Sequence, residues 1–378
     1  PRTDGSPRAG SVAVDTGFIV FNRATYPRFC ALLAELGIEP QASDMSFSVR
    51  CEQSGLEYEG SGWNGLLARR SNALRPAFWS LLRDLLRFYR EAPLTLDGPD
   101  DGRTLGEFLE QRRYSRAFVE QHLVPMASAV WSARAEDLRG FPLRFLVRFF
   151  ANHGFLQVAG RPQWLVVPGG SRRYVERLVA PFRERVRLST PVASVRRVAD
   201  GVLLRTVRGE EELFERVILA THSDQSLALL ADATRREREI LGAFGYQAND
   251  VVLHTDRRVL PRARRAWASW NYHLADPPSA LPTVTYWMNH LQGLREERDY
   301  LVTLNRTAEI DPSAVLARFT YHHPLYSRAA FAAQARHAEI DGAHGVHFCG
   351  AYWGYGFHED GVKSAEAVLA NLREEVPA

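Results

Sequence analysis

The spacing of apolar and polar residues predicts different structure in successive parts of the chain. Residues 11–21 have the composition of β-structure interrupted by Asp-Thr-Gly, and Tyr26 to Leu36 has helical spacing that ends at Gly37, a favourable C-cap residue. Residues from about 63 to 155 are rich in helical patterns, such as the three-four spacing over 78–89. The first third of the chain is therefore predicted to pass from β-structure into a helical segment.

The pattern changes after residue 155. Pro168-Gly169-Gly170 precedes a predicted helix over 173–182, and a capping box is predicted earlier, at Thr104 to Glu107. Short strands are predicted at 45–49, 56–58, 186–188, 191–195, 202–204, 217–220, several places within 248–305, and 346–348. A final helix is predicted over 362–372. This order favours an α/β domain interrupted by insertions over a linear string of modules.

Composition agrees with a folded protein that has a sizeable core. The 378 residues are enough for two to three domains, and the apolar (46%) and charged (24%) fractions are ordinary for soluble proteins. The longest apolar stretches are interrupted by charges, as Arg144 and Arg148 interrupt the run around Phe145. We therefore expect no transmembrane helix.

Charge and cysteine content narrow the functional classes. The net charge is +3, Lys363 is the only lysine, and the arginines are interspersed with acidic residues, which disfavours nucleic-acid binding. Cys30, Cys51 and Cys349 are far apart and have no metal-ligand spacing. We expect a cytoplasmic setting by default and no metal site.

The most informative segment for chemistry runs from Val346 to Ala365. A predicted strand ends at Gly350, where a small residue lets a ligand approach the backbone. A glycine-aromatic loop follows, and a helix is predicted to begin near Gly361, with N–H groups and a positive dipole end. Such an end suits an anionic or electron-rich acceptor such as the edge of a reduced flavin. A plain glycine-rich turn between a strand and a helix explains the same spacing.

This segment resembles the final FAD motif of flavin amine oxidases, phytoene desaturases and protoporphyrinogen oxidases. In that superfamily a strand-terminal glycine contacts the phosphate-ribitol side of the cofactor, and an acidic-glycine-small step starts the helix under the flavin. Gly350 matches the first feature, and Asp360-Gly361-Val362 matches the second.

Other segments match the same superfamily in the same order. Asp15-Thr16-Gly17 resembles the segment that passes the isoalloxazine, Pro191-Val192 resembles the strand that holds the adenine, and Ala220-Thr221 ends a strand that resembles the one closing the FAD domain. The resemblance thus implies FAD contacts at Asp15, Thr16, Gly17, Val192, Ala220, Thr221, Gly350, Ala351, Asp360, Gly361 and Val362. The segments around 15–26, 125–132 and 348–361 are similar to a bacterial branch of predicted NAD/FAD-binding proteins, whose genes often lie beside cyclopropane fatty acid synthase-like genes.

One departure from the superfamily concerns the phosphate-binding glycines. The family opens with a strand, G-x-G-x-x-G, a helix and an acidic residue, and the printed sequence contains none of these, because Gly5 and Gly10 have neither the spacing nor a preceding strand. We expect about 30 to 40 residues of a first βαβ unit to be absent from this chain. We also expect the 378-residue form to bind FAD poorly.

A second departure concerns catalysis. Amine oxidases of the superfamily usually have a lysine near flavin N5, whereas Lys363 lies in the terminal helix, and they have a cage tyrosine where this chain has His358. Both differences argue against amine oxidation. His358 is predicted to be an acid or base near the flavin, with Tyr355 as a weaker candidate. Equally, His358 could serve only to hydrogen-bond a loop.

Several residues could form the substrate side. A set of large aromatic and apolar residues could line a tunnel for a lipid-like substrate or belong to an ordinary core. These residues are Trp131, Trp267, Trp270, Tyr272, Tyr286, Trp287 and Met288. Asn271, Asn289 and Asn305 are candidate pocket hydrogen-bonders. The stretch 141–150 suits a core helix more than a membrane-surface helix, although peripheral membrane contact stays open. His322 and His323 are expected to lie in a loop.

Together, the patterns and the resemblance predict an α/β protein. We expect an FAD-binding Rossmann-like domain formed by residues 1–40, 155–240 and 340–378, and an α+β substrate domain with a helical cap formed by 41–154 and 241–339. The expected activity is noncovalent FAD-dependent oxidation, by hydride transfer to flavin N5, of a hydrophobic acyl or lipid-like substrate. The alternatives are an amine or polyamine oxidase, a flavin-dependent lipid isomerase, and a non-catalytic FAD-fold binding protein.

Overall fold

The computed structural model describes residues 12–375. The α-helices in that part of the chain are, in order, α1 (Pro27–Glu35), α2 (Trp63–Leu66), α3 (Pro76–Glu91), α4 (Leu105–Gln111), α5 (Arg116–Phe118), α6 (Val124–Trp131), α7 (Ala135–Arg139), α8 (Leu143–Asn152), α9 (Arg172–Val179), α10 (Ser223–Leu229), α11 (Arg235–Leu241), α12 (Met288–Leu291), α13 (Arg328–Gln334) and α14 (His358–Glu375). Most of those before residue 155 fall within the predicted helical segment. The capping box at Thr104 is confirmed, because its side chain accepts the Glu107 N–H and the Glu107 carboxylate accepts the Thr104 N–H.

The strands come before, between and after these helices. They are β1 (Val20–Asn22), β2 (Gln41–Ser43), β3 (Phe47–Cys51), β4 (Glu57–Glu59), β5 (Trp164–Val166), β6 (Val192–Val198), β7 (Gly201–Thr206), β8 (Glu211–Phe214), β9 (Val217–Leu219), β10 (Gly245–His254), β11 (Trp270–Leu274), β12 (Val284–Trp287), β13 (Leu301–Leu304), β14 (Val315–Leu325) and β15 (Val346–Phe348). The predicted hairpin around Ser54-Gly55 is confirmed, since β3 and β4 pair antiparallel with Val49 opposite Tyr58.

The chain divides into two compact units, each made of separate segments. The larger unit comprises Pro1–Thr25, Leu33–Arg177 and Ala248–His323, and the smaller comprises Tyr26–Leu32, Leu178–Gln247 and Pro324–Ala378. The boundaries of these compact units differ from those of the predicted functional domains. The assignment of FAD-binding and substrate roles to segments therefore stays a prediction.

A seven-stranded sheet and the helical segment dominate the larger unit. The strand order is β14-β10-β13-β12-β11-β3-β4, and β11 pairs with β3 in parallel while its other neighbour, β12, is antiparallel. A second sheet has the order β1-β5-β2. The core against β3 and β11 includes Val49, Tyr58, Phe78 and Leu81, so α3 buries one apolar face on the sheet. This burial of apolar area is the main stabilising contribution to the unit.

Helix α8 lies in the stretch for which a core helix and a membrane-surface helix were both considered. It buries Leu143, Leu146, Val147, Phe149 and Phe150, and Trp131 packs against Phe149 with 4.7 Å between ring centroids. Because the apolar stripe is buried inside the protein, it is not available to lipid. The structure therefore favours the core-helix interpretation of residues 141–150.

The smaller unit contains two small sheets around one apolar core. Strands β6, β7 and β8 form an antiparallel meander, and β9 pairs with β15 in parallel. Its buried core residues are Val195, Val202, Leu219, Leu230, Ala233, Ile240, Leu241, Phe244, Ala330, Ala333, Ile340, Val346, Phe348 and Tyr352. The C-terminal strand and its loop thus belong to the core of this unit.

Two local predictions were wrong. Residues 186–188 do not form a strand, because they bond locally instead of to a neighbouring strand: the Val186 N–H donates to the Arg183 carbonyl, and the Leu188 carbonyl accepts from the Thr190 hydroxyl. Leu188 is 82% exposed. His322 and His323 lie in β14 rather than in a loop, since β14 continues through Pro324 to Leu325. Within the described residues, helices with the length and apolar character needed to cross a bilayer are absent.

Candidate functional site

In the smaller unit, the ends of two parallel strands bring several predicted site residues to one edge. Phe348 of β15 lies opposite Leu219 of β9, and the Cys349 N–H donates to the Leu219 carbonyl at 3.1 Å. Since parallel strands share their carboxyl-end edge, Ala220 and Thr221 lie next to Gly350 and Ala351. Open parallel sheets bind ligands at this edge.

The packing of Tyr352 leaves no room for a side chain at Gly350. A Cβ at this position would come within 2.5 Å of the Tyr352 ring, which is buried in the core. The Gly350 N–H donates to Ser364 Oγ at 2.9 Å, and that hydroxyl donates to the Gly361 carbonyl. The sequence argument named ligand approach as the reason for this glycine, but packing of Tyr352 against it is the reason that the structure supplies.

Helix α14 begins at His358, earlier than the predicted start near Gly361. The Gly361 N–H is already inside the helix and donates to the Phe357 carbonyl at 3.1 Å. The Asp360 carboxylate accepts the Phe357 N–H at 3.0 Å and so caps its own helix. Burial raises the pKa of Asp360 to about 6, although this backbone hydrogen bond acts in the opposite direction.

The first turn of α14 also holds the start of α1. The Glu359 carboxylate accepts the N–H groups of Arg28 and Phe29 at 3.0 to 3.2 Å, which satisfies first-turn amides of α1. His358 is buried and its imidazole stacks on the Phe29 ring. Tyr355 is half-buried in the preceding loop. The two predicted catalytic residues thus lie on one short segment, and His358 is the more enclosed of them.

The backbone beside Gly361 is open. No described heavy atom lies within 4 Å of the position that a Cβ at Gly361 would occupy. Val362 is half-buried, Ala220 and Thr221 are exposed, and Val192 is the half-buried first residue of β6. A glycine with open space beside it, in the same unit as an exposed strand edge, fits a nucleotide cofactor, since a ligand can approach the backbone there without meeting a Cβ.

In the larger unit, Asp15 is bound to the start of α9. Its carboxylate accepts the Ser171 N–H at 2.9 and 3.0 Å and the Ser171 hydroxyl at 3.2 Å. Gly170 has a φ of +91°, and a Cβ there would lie 3.1 Å from Asp15 Oδ1. Burial raises the pKa of Asp15, while the Ser171 hydrogen bonds lower it. The Pro-Gly-Gly segment therefore lets the backbone approach this carboxylate.

Further contacts fix the same turn. The Asp15 N–H donates to Gln292 Oε1 at 3.0 Å, and Gln292 Nε2 donates to the Ala13 carbonyl at 3.2 Å. Thr16 Oγ1 lies 2.5 Å from the Tyr321 hydroxyl. Gly17, like Gly361, has no described heavy atom within 4 Å of its Cβ position. The turn is thus held rigidly on one side and open at its glycine.

An apolar crevice in the larger unit was missed from the sequence. As it stands it has no room for a water molecule, and it is lined by Leu85, Phe88, Tyr89, Phe118, His122, Leu123, Met126, Phe150 and Phe155. The crevice is narrow, so flexible side chains such as Met126 would have to move to admit a ligand. One structural signal marks it: residues Val119–Leu123 form a π-helical turn, a distortion that is frequent at functional sites.

His122 supplies a polar group to this crevice. The Tyr58 hydroxyl lies 2.9 Å from the Gln121 carbonyl oxygen and 2.8 Å from His122 Nδ1, so it holds the imidazole in place by a hydrogen bond. Burial, helped by the charge of Arg161, lowers the pKa of His122 to about 4. His122 is therefore neutral at pH 7.

Most of the substrate-side residues named from the sequence have structural roles. Trp131, Tyr272 and Met288 are core residues, and Trp267 meets Trp287 edge to face at 5.5 Å. The amides of Asn271, Asn289 and Asn305 are hydrogen-bonded to backbone groups of neighbouring segments. Among residues 12–375, no three His, Cys, Asp or Glu side chains form a group suited to a metal ion.

The fold is mixed α/β, and two parallel strands of the smaller unit end at one edge. A family model for flavin containing amine oxidoreductases matches residues 2–369, and the chain belongs to this family. It is an FAD-dependent oxidoreductase, so the expected family, cofactor and enzyme class are confirmed. No curated protein sequence matches the chain.

Several solved structures share their fold with this chain at low sequence identity. The chain is similar to cyclohexylamine oxidase from Brevibacterium oxydans IH-35A, with 13% identity, a TM-score of 0.65 and coverage of 97% of this chain and 89% of that one. It is similar to a CLA-producing fatty acid isomerase from P. acnes, with 11% identity, a TM-score of 0.64 and coverage of 97% of this chain and 88% of that one. It is also similar to a putative protoporphyrinogen oxidase from Exiguobacterium sp. 255-15, with 16% identity, a TM-score of 0.63 and coverage of 98% of this chain and 92% of that one. At these identities the likeness establishes the mixed α/β fold alone.

Proposed function

We propose that this enzyme desaturates or otherwise oxidises a hydrophobic, acyl or lipid-like substrate. The observation that carries the proposal is the crevice between α3, the π-helical turn and α8. Seven of its nine lining side chains are apolar, and its polar ones are Tyr89 and the neutral His122. Such a lining favours an alkyl chain over a charged amine, because it contains no carboxylate and a buried cation without a counter-charge is costly.

FAD would be held by the residues that the resemblance named. In the smaller unit these are Val192, Ala220, Thr221, Gly350, Ala351, Asp360, Gly361 and Val362; in the larger unit they are Asp15, Thr16 and Gly17. FAD supplies a hydride acceptor when bound. The two carboxylates act as positioning groups, since Asp15 holds the Ser171 N–H and Asp360 holds the Phe357 N–H. His358 is the proposed proton acceptor or donor, and Tyr355 is the second candidate.

We also propose that the FAD domain has a larger Rossmann-like sheet than the pair β9 and β15. In the described residues β9 pairs on one side only, and its Ile218 is 43% exposed. Parallel sheets are ordinarily buried on both faces and contain more strands. A further parallel strand would pair at this edge of β9, and the helical segment before residue 155 would cap the substrate.

The first test is flavin content and reduction. The protein is purified, and the visible bands of oxidised flavin are recorded. The FAD-loaded enzyme is then mixed anaerobically with unsaturated and saturated phosphatidylcholines, and with putrescine and cyclohexylamine. Bleaching of the flavin by a phospholipid supports the proposal. Bleaching by the amines alone, with hydrogen peroxide formed in air, overturns it in favour of an amine oxidase.

A lipid isomerase is the second candidate, because one fold neighbour is titled a fatty acid isomerase. Product analysis without an electron acceptor distinguishes it: an isomerase continues to turn over, whereas an oxidase stops after one equivalent.

Variants test the crevice directly. Met126→Phe adds volume to the crevice and should slow flavin reduction by the acyl substrate while flavin content is unchanged. Met45→Phe is the matched control, since Met45 is also half-buried in the larger unit but does not line the crevice. Equal rates in the two variants would remove the crevice from the substrate path.

A further inference from the structure

One face of helix α3 is exposed and combines large apolar side chains with arginines. Trp79, Arg83, Leu86 and Arg90 follow one another at spacings of four, three and four residues, which puts them on one side of the helix. The opposite side buries Phe78, Leu81, Asp84 and Phe88 in the protein. We call these four exposed residues the Trp79 face.

The exposed apolar surface extends beyond the helix at both ends. Leu74, just before α3, is 86% exposed, and Leu94, just after it, is 66% exposed. Trp63 in α2 is also exposed. The indole of Trp79 donates from Nε1 to the Ala73 carbonyl at 2.8 Å, which fixes its orientation at the surface. Trp79 and Leu86 share one side of the helix, and exposed apolar side chains of this size are typical of an interaction site.

The charge around this face is strongly positive. Residues 63–96 contain six arginines against two acidic residues, whereas the whole chain has a net charge of only +3. Asp84 is buried and pairs with Arg83 and Arg87, and Glu91 pairs with Arg87. Arg69 pairs with Glu57, outside this segment. On the Trp79 face itself Arg83 and Arg90 are exposed, so the face is complementary to a partner that is anionic and accepts apolar side chains.

We propose that the Trp79 face binds the surface of a membrane that carries anionic lipids. Tryptophan and leucine side chains would enter the boundary between headgroups and acyl chains, and Arg83 and Arg90 would remain at the lipid phosphates. This arrangement fits lipid better than an acidic protein or nucleic acid, since neither of those offers an apolar layer to a row of Trp and Leu. The inference does not depend on the proposed substrate.

Vesicle flotation of the holoenzyme tests the inference. Two vesicle compositions are used: phosphatidylcholine alone, and phosphatidylcholine mixed with phosphatidylglycerol. We expect binding to the anionic vesicles that weakens as salt is added, and weak binding to the neutral ones. Leu86→Ser should weaken partitioning about tenfold through lost apolar contact, and Arg83→Gln with Arg90→Gln should weaken it roughly 30-fold on anionic vesicles only.

Matched controls separate the face from general surface effects. Leu316→Ser changes a leucine of equal exposure (48%, against 49% for Leu86), and Arg235→Gln with Arg238→Gln removes two exposed arginines of α11. Neither control should alter flotation. Absence of binding to anionic vesicles at low salt overturns the inference, as does equal binding by the Leu86 and Leu316 variants. A shift of oligomeric state by light scattering in Leu86→Ser alone would identify the face as a contact between copies instead.

Discussion

The imidazole of His358 stacks on the phenyl ring of Phe29, with 4.3 Å between the ring centroids and 28° between the ring planes. The next residue, Glu359, accepts the Phe29 N–H at 3.0 Å. The start of α14 and the start of α1 are thus held together by one aromatic contact and one carboxylate. This arrangement fixes the orientation of the residue that is the proposed proton acceptor or donor.

Replacement of His358 tests that role. If the imidazole moves a proton during flavin reduction, His358→Gln should lower the rate constant of that step by about 100-fold or more and remove its pH dependence near neutrality. Stopped-flow absorbance of the holoenzyme measures both quantities. His344→Gln, at an exposed position, is the control. An unchanged pH profile in His358→Gln would leave His358 as a packing partner of Phe29.

The close approach of Gly170 to Asp15 predicts an unusually large loss of folding stability when a methyl group is added at Gly170. Gly170→Ala should destabilise the protein by about 2 to 4 kcal/mol, because a positive φ adds strain and the Cβ crowds Asp15 Oδ1. Gly160→Ala shares a positive φ but has no described atom within 4 Å of its Cβ, so it should cost only about 1 kcal/mol. Urea unfolding measures the free energy of unfolding of both variants. Equal losses of stability would mean that the Asp15 side chain moves aside without loss of stability.

The pKa of Asp360 makes folding stability depend on acid pH. Because its pKa rises from the ordinary value of 3.8 to about 6 in the folded protein, protonation favours folding. This contribution is fully present below pH 3.8 and is lost as the pH rises through about 6, a change of roughly 3 kcal/mol. Asp360→Asn can still accept the Phe357 N–H and should flatten the dependence between about pH 4 and 6. A slope equal to that of the unmodified protein contradicts this assignment.

The lowered pKa of His122 predicts that folding stability changes with pH in the opposite direction. Its pKa falls from 6.5 to about 4 on folding, so its contribution to stability is present above pH 6.5 and is lost as the pH falls towards 4. His122→Gln should remove about 3 kcal/mol of this pH-dependent change, whatever its effect on absolute stability. His344→Gln, at an exposed position, is the matched control, and an equal loss of pH dependence in the two variants would contradict the assignment to His122.

The open space beside Gly361 predicts a variant that is more stable but binds FAD less well. Gly361→Ala should stabilise the flavin-free protein by about 0.5 to 1 kcal/mol, because alanine is the better helix former. The added methyl should weaken FAD binding about tenfold or more if the cofactor occupies that space. Thermal unfolding and fluorescence titration with FAD measure the two effects.

The reverse change elsewhere in α14 is the matched control. Ala367 is exposed in the same helix, so Ala367→Gly should lower stability by about 0.5 to 1 kcal/mol and leave FAD binding unchanged. Equal affinity for FAD in Gly361→Ala and the unmodified protein would place the cofactor away from Gly361.

Much of the local structure could be predicted from the sequence. The C-terminal strand, its glycine and the helix that follows were identified from spacing and resemblance, although the helix starts at His358 because the Asp360 carboxylate caps it. The strand predicted at 186–188 failed because apolar alternation reports only a tendency, and a strand also needs a hydrogen-bonding partner. The local sequence pattern thus predicted the presence of an element more accurately than its first residue or its pairing partner.

The sequence by itself determined the family, the cofactor class and the order of elements, because these depend on motifs and on periodicity within a few residues. Only the tertiary structure decided which side chains meet. Asp15 binds the Ser171 N–H across 156 positions, and Tyr58 orients His122 across 64. Pairings of this kind follow from the packing of whole elements in three dimensions, and no local pattern encodes them.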